Sequence, residues 1–293
     1  MTGAMAWSDL VHPFHFQFFR NGLLVATIAG ALCGLIGVYV VLRGMSYIGH
    51  GLSHAIFGGF AASGLVGVNF FLGAGVWGLA SALMVSAVTR RKSIGSDAAI
   101  GVITTASFAL GLALIQLYGS PGRNPDAALF GNVLGVASQD VWIVVGVSVF
   151  AVAVIVLRYR ALLFTTFDPE VAEVSGINTA RVDALLMLVL AASILATMSV
   201  MGVTLIAAAI VVPAVVARML TDSFARMLWL STAIGAVCGF VGMNLSYHLD
   251  IASGPTIVLT GSALFAAVFA ATGLRGMSRL RGARRGLEPL HLS

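Results

Sequence analysis

The sequence predicts an all-α polytopic membrane protein with eight to nine transmembrane helices per protomer. Three observations predict it. Of the 293 residues, 59% are hydrophobic and only 9% are charged, whereas a soluble domain carries about a quarter charged residues. Apolar stretches of about 20 residues, the length that crosses a hydrocarbon layer, recur along the chain. Lys and Arg gather in alternate loops between those stretches, as they do on one side of a membrane. The 34 glycines fit the same class, because small residues let helix backbones approach closely in lipid.

Taken in order, residues 1–21 carry Trp7, Leu10, Val11, Phe14, Phe18 and Phe19 in the pattern of an interfacial amphipathic segment. The basic region, apolar core and cleavage site of a signal peptide are not found there. The candidate spans are 22–41, 47–67, 70–88, 98–117, 141–157, 183–200, 202–219, 227–247 and 255–273. The second is the most polar, and the third follows it almost without a loop. The sixth and seventh meet so tightly near Met201 and Gly202 that eight spans with one broken helix is the alternative. Asp97 and Asp140 head the fourth and fifth spans as cap residues.

With nine spans, Arg43, Arg90, Arg91, Lys92, Arg158, Arg160, Arg181, Arg218 and Arg226 fall on one side. Arg275, Arg279, Arg281, Arg284 and Arg285 join them, and only Arg20 and Arg123 lie opposite. That asymmetry predicts an outside N-terminus and a cytoplasmic C-terminus. Residues 275–293 then form a basic cytoplasmic tail against anionic lipid. The net charge of +5 is therefore explained by topology and lipid, and no nucleic-acid partner is expected. Cys33 and Cys238 lie within apolar runs without a CxxC partner and read as small packing residues. Gly30 with Gly34, and Gly235 with Gly239, form GxxxG pairs of the kind that usually serve packing.

The second span carries the most informative pattern. His50 and His54 are four residues apart, so both imidazoles lie on one helix face. Ser46 and Ser53 share that face, and Gly49, Gly51, Gly58 and Gly59 keep the helix thin. A helix this small and polar is unfit for lipid. Titratable groups inside a membrane are costly and mark function by default. Two readings stay open at this point: the imidazoles hydrogen-bond neighbouring helices, or they hold a divalent transition metal.

Between Arg158 and Arg181 a loop contains a second pattern. Asp168 suits an N-cap, Pro169 the first helical position, and Gly176 the closing turn. Together with Glu170 they predict a short, capped, acidic helix, either an ordinary surface helix or a rigid docking surface for a soluble partner. His248 and Asp250 flank the end of the eighth span; an ordinary loop is the simpler reading than a cation site, because positions i and i+2 diverge on a helix. Phosphate-loop, HExxH and nucleophile-elbow motifs are not found, so the chain is expected neither to bind ATP itself in that way nor to be an enzyme.

Five segments occur in order: Met45–Ala55, Leu129–Asn132, Phe167–Glu170, Met201–Ala214 and Ser246–Pro255. Together they resemble the zinc/manganese-type ABC transporter permease family, the membrane subunit of bacterial metal importers, over about Gly22 to Ala271. The resemblance implies a permease domain over 22–274 in the bacterial cell membrane and a second permease copy around a central pathway. It implies two cytoplasmic ATP-binding subunits, an extracytoplasmic metal-binding protein, no intrinsic cofactor, and transported Zn²⁺ or Mn²⁺. His54 matches the family's histidine, whereas His50 stands where the family usually has aspartate, and Asn132 stands where it has a further acid. The nitrogen-rich pair shifts the expected preference toward zinc over manganese. The Asp168–Gly176 helix falls where the family couples to its ATPase. The alternative is a secondary metal carrier that needs no ATP.

Overall fold

The computed structural model describes residues 12–89, 96–118, 129, 131 and 136–287. Among them there is no strand. A 3-10 turn at His12–His15 leads into α1 (Gln17–Leu42), α2 (Ser46–Val66), α3 (Phe70–Thr89) and α4 (Ser96–Tyr118). After these come α5 (Ser138–Leu157), α6 (Tyr159–Phe167), α7 (Pro169–Val174) and α8 (Thr179–Met201). The chain ends in α9 (Ile206–Leu220), α10 (Phe224–Leu249) and α11 (Ser253–Leu287).

Each expected span falls on one of these helices, but only 7 described helices are both long and apolar enough to cross a membrane. The expected eight to nine are not established. Both exceptions have a physical cause. The 21 residues of α2 are long enough but are diluted by histidine, serine and glycine. The 15 residues of α9 extend only about 22 Å at 1.5 Å per residue, short of a hydrocarbon core of about 30 Å. The tight junction before α9 is a real break. Gly202 turns at φ +73°, and Thr204 donates both its N–H (3.2 Å) and its hydroxyl (2.7 Å) to the Leu129 carbonyl.

One feature of the region after α5 is not anticipated by the sequence. Tyr159–Phe167 is helical, so the segment read as a loop holds two short helices, α6 and α7. The α6 helix is anchored by the fully buried Leu162, which shares one hydrophobic cluster with Tyr39, Ile155, Val182 and Leu186.

The two GxxxG pairs meet each other. A Cβ on Gly30 would strike the Gly235 carbonyl, and a Cβ on Gly34 would strike that of Ser231. Glycine there lets α1 and α10 lie in backbone contact, and the Ser231 hydroxyl donates to the Gly34 carbonyl across the seam. Similar contacts place α2 between α3 and α4: Gly58 faces the Ser107 backbone, and Gly59 faces Trp77. Both cysteines are buried packing residues, as expected, and Cys33 lies 3.8 Å from the Met201 sulfur.

Candidate functional site

His50 and His54 stand one above the other on α2, with ring centroids 4.3 Å apart. Between Ile48 and Ser63 every residue is buried except His50, His54 and Ala62. His50 and His54 lie about 40° apart around the helix axis, on one side of α2, whereas Ala62 lies about 120° from His50. His54 Nε2 is buried and has no hydrogen-bond partner. An imidazole nitrogen buried without a partner is costly unless something else takes its lone pair or proton. Ser53 departs from the expected polar face. It is fully buried and its hydroxyl turns back to the His50 carbonyl at 2.8 Å. Among the described residues no three His, Cys, Asp or Glu side chains converge. One protomer therefore offers an imidazole pair and not a closed metal cage.

The surroundings of His54 hold it in place. The Phe108 ring lies 4.4 Å from the His54 ring, centroid to centroid. Beside it, Ser107 joins three helices: its hydroxyl accepts from Trp77 Nε1 at 2.6 Å and donates to the Ala55 carbonyl at 3.2 Å. Neither Trp77 nor Ser107 stands out in the sequence, because each is an unexceptional residue in an apolar run.

The predicted capped helix is present as α7. Asp168 accepts from the Val171 N–H at 3.0 Å, Pro169 occupies the first turn, and Gly176 closes the helix at φ +79°. The Gly176 N–H bonds the Glu173 carbonyl and the Ile177 N–H bonds that of Ala172, the paired pattern of a glycine-terminated helix. Glu170 is exposed in the first turn, where an acid complements the helix dipole. Exposed Phe167, Val171 and Val174 project around it, Val174 with 91% of its surface accessible. Arg43, read from the sequence only as a topology signal, bonds Thr165, Thr166 and Asp183.

Other candidates do not assemble. His248 sits in the last turn of α10 and Asp250 follows it at φ 53°, without a third ligand among the described residues. Met198 and Met201 are buried in the core. Asp140 caps α5 by accepting from the Ala137 N–H at 2.8 Å, whereas Asp97 lies one residue inside the start of α4. Asn132 lies outside the described residues.

The sequence pattern of the ABC 3 transport family matches residues 15–272. The chain belongs to this family. It is 37% identical over 254 residues to the manganese transport system membrane protein MntC of Halalkalibacterium halodurans, with 87% of each chain covered. It is 38% identical over 250 residues to the manganese import system permease protein ScaB of Streptococcus parasanguinis, covering 85% of this chain and 89% of that one. PsaBC from Streptococcus pneumoniae, solved in complex with Fab, superposes with a TM-score of 0.81 at 33% identity, over 90% of this chain and 95% of that one. The motif-based resemblance to metal-type ABC permeases is borne out.

Proposed function

We propose that this member of the ABC 3 transport family is the membrane permease of an ATP-driven importer for a divalent transition metal, zinc favoured over manganese. His50 and His54 contact the metal in transit. The observation that carries this reading is the imidazole pair on one side of α2, half-buried and with ring centroids 4.3 Å apart, with His54 Nε2 unpaired. A transported ion must be held weakly, because a closed tetrahedral site retains zinc. Two imidazoles, completed by water or by the second permease copy, meet that requirement.

The reaction divides among partners. An extracytoplasmic metal-binding protein delivers the ion, and two cytoplasmic ATP-binding subunits hydrolyse ATP. The latter dock on α7, where Asp168, Pro169, Glu170 and Gly176 build a rigid helix with exposed Phe167, Val171 and Val174. The assembly sits in the bacterial cell membrane with the N-terminus outside and the C-terminus in the cytoplasm, an orientation supported by the placement of Lys and Arg.

A second reading, manganese as cargo, is favoured by the names of the relatives. Uptake by the reconstituted complex under competing Zn²⁺ and Mn²⁺ decides between them. His54→Ala is expected to lower uptake at least about tenfold, equivalent to about 1.4 kcal/mol. Unchanged uptake in that variant would refute the site. His50→Asp restores the mixed ligand pair usual in the family and shifts the zinc-to-manganese ratio toward manganese.

A further inference from the structure

Arg43 lies in the turn between α1 and α2, and its side chain is only 9% exposed. All three guanidinium nitrogens are engaged. Nε donates to Thr166 Oγ1 at 3.1 Å, Nη2 to Thr165 Oγ1 at 2.8 Å, and Nη1 to Asp183 Oδ1 at 2.7 Å. The two threonines close α6, and Asp183 lies in the first turns of α8. Each hydroxyl has one proton, which Thr165 gives to the Ala161 carbonyl at 2.9 Å and Thr166 to that of Leu162 at 2.6 Å. Their remaining lone pairs face the guanidinium. A rigid fork of donors fits three such acceptors, and a lysine ammonium does not reproduce it.

On one side this clamp reaches α7. Thr166 is two residues before Asp168, whose carboxylate caps the docking helix. On the other side it reaches α2. Arg43 caps α1, Gly44 turns at φ +66°, and the Gly44 and Met45 N–H groups bond the Val41 and Val40 carbonyls at 3.1 and 2.9 Å. That doubly bonded turn is stiff, and α2 starts at the next residue, with His50 little more than one helical turn further on. A cleft of about 240 Å³ opens beside the clamp, with Met45 at the head of α2 on one wall and Pro169 at the head of α7 on another. The two helix heads thus have space between them, while the guanidinium spans from one side to the other.

We propose that Arg43 is the positioning residue that passes movement of α7 to the helix bearing His50 and His54. This rests on the permease reading above, in which α7 meets the ATP-binding subunit and the imidazoles meet the metal.

The test uses the complete transporter in liposomes, with Zn²⁺ as the probe. Arg43→Gln is expected to retain the ATP-binding subunit on purification and to bind Zn²⁺ as the wild type does. Its ATP-driven uptake and metal-stimulated hydrolysis fall about tenfold, within the 5–150-fold range of typical coupling energies. Arg43→Lys keeps a charge for Asp183 but not the fork, and restores uptake only in part. Thr165→Val with Thr166→Val leaves the ion pair in place, so it serves even where Arg43→Gln fails to fold; it is expected to lower uptake without lowering Zn²⁺ binding. Wild-type uptake in the double threonine variant overturns the proposal. So does a loss of Zn²⁺ binding that parallels the loss of uptake, which marks a merely structural role. Two controls report on the underlying reading instead. Unchanged Zn²⁺ binding in His54→Ala refutes the metal site, and undiminished retention of the ATP-binding subunit in Val171→Asp with Val174→Asp refutes the docking helix.

Discussion

Removing the Ser107 hydroxyl tests how α2 is held beside α3 and α4. Ser107→Ala deletes two bonds at once, the 2.6 Å bond from Trp77 Nε1 and the 3.2 Å bond to the Ala55 carbonyl. Side-chain bonds between membrane helices average about 0.6 kcal/mol each. The indole N–H is then left without an acceptor, and such an orphaned group costs about 1–3 kcal/mol. The Ala55 carbonyl suffers less, because it remains within the helix ladder. Ser107→Ala is therefore expected to destabilise the protein by about 1–3 kcal/mol. In a Trp77→Phe background the indole donor is already gone, and the same change should cost only about 0.6 kcal/mol. The difference, roughly 1 kcal/mol, is the coupling between Trp77 and Ser107. Reversible unfolding of the purified protein in mixed micelles, followed for the wild type, both single variants and the double variant, measures it. A coupling below about 0.3 kcal/mol, the scatter of independent sites, would show that the three-helix junction is not held as argued. Uptake provides a second reading, because Phe108, the next residue, packs on the His54 ring.

Gly235→Val places a Cβ against the Gly30 carbonyl, where backbone and not a flexible side chain must yield; a loss of about 1–3 kcal/mol in unfolding free energy is expected. Asp168→Ala removes the cap of a helix only 6 residues long, costs about 1 kcal/mol locally, and should raise amide exchange over residues 169–174 and weaken retention of the ATP-binding subunit. Acidification should lower uptake, because protons compete with metal for imidazole nitrogen. A variant lacking both His50 and His54 should lose that pH dependence in its residual uptake, measured in liposomes across a pH series.

Much of this architecture is legible locally. The helical segments follow from apolar length, and α7 follows from Asp168, Pro169 and Gly176, each of which acts within a few residues of itself. The alignment of His50 and His54 follows from helical periodicity alone. What is not legible is non-local. That Gly30 faces Gly235 depends on which helices become neighbours, and no single segment encodes it. Ser53 looked like a lining residue because its periodicity is right, but its hydroxyl finds the His50 carbonyl of its own helix. Arg43 looked like a charge that marks a membrane side, and only the fold brings Thr165, Thr166 and Asp183 to it. The helix α6 is not legible in the sequence, because its mixed residues are held by the burial of Leu162 against the bundle and not by their own propensity.

The two helices that fail as ordinary membrane spans are α2, which carries His50 and His54, and α9, which packs against it. Hydropathy measures how a helix partitions into lipid, so it undervalues a helix that never meets lipid. The α2 helix packs against α3, α4 and α9, which bury most of it and leave His50, His54 and Ala62 half-buried. Its Gly49 lies against Ile210 and Ala207 of α9, where a Cβ would be 3.5–3.7 Å from their atoms. Short α9 and polar α2 thus pack on each other. Enclosure removes the need for apolar length in α9 and for apolar composition in α2. Packing against neighbouring helices also shields part of the two imidazoles from lipid, where titratable groups are costly. The residue types that take α2 out of the hydropathy pattern are those that the proposed metal path would use: imidazole nitrogens at half-buried positions, and glycine where neighbouring helices close in.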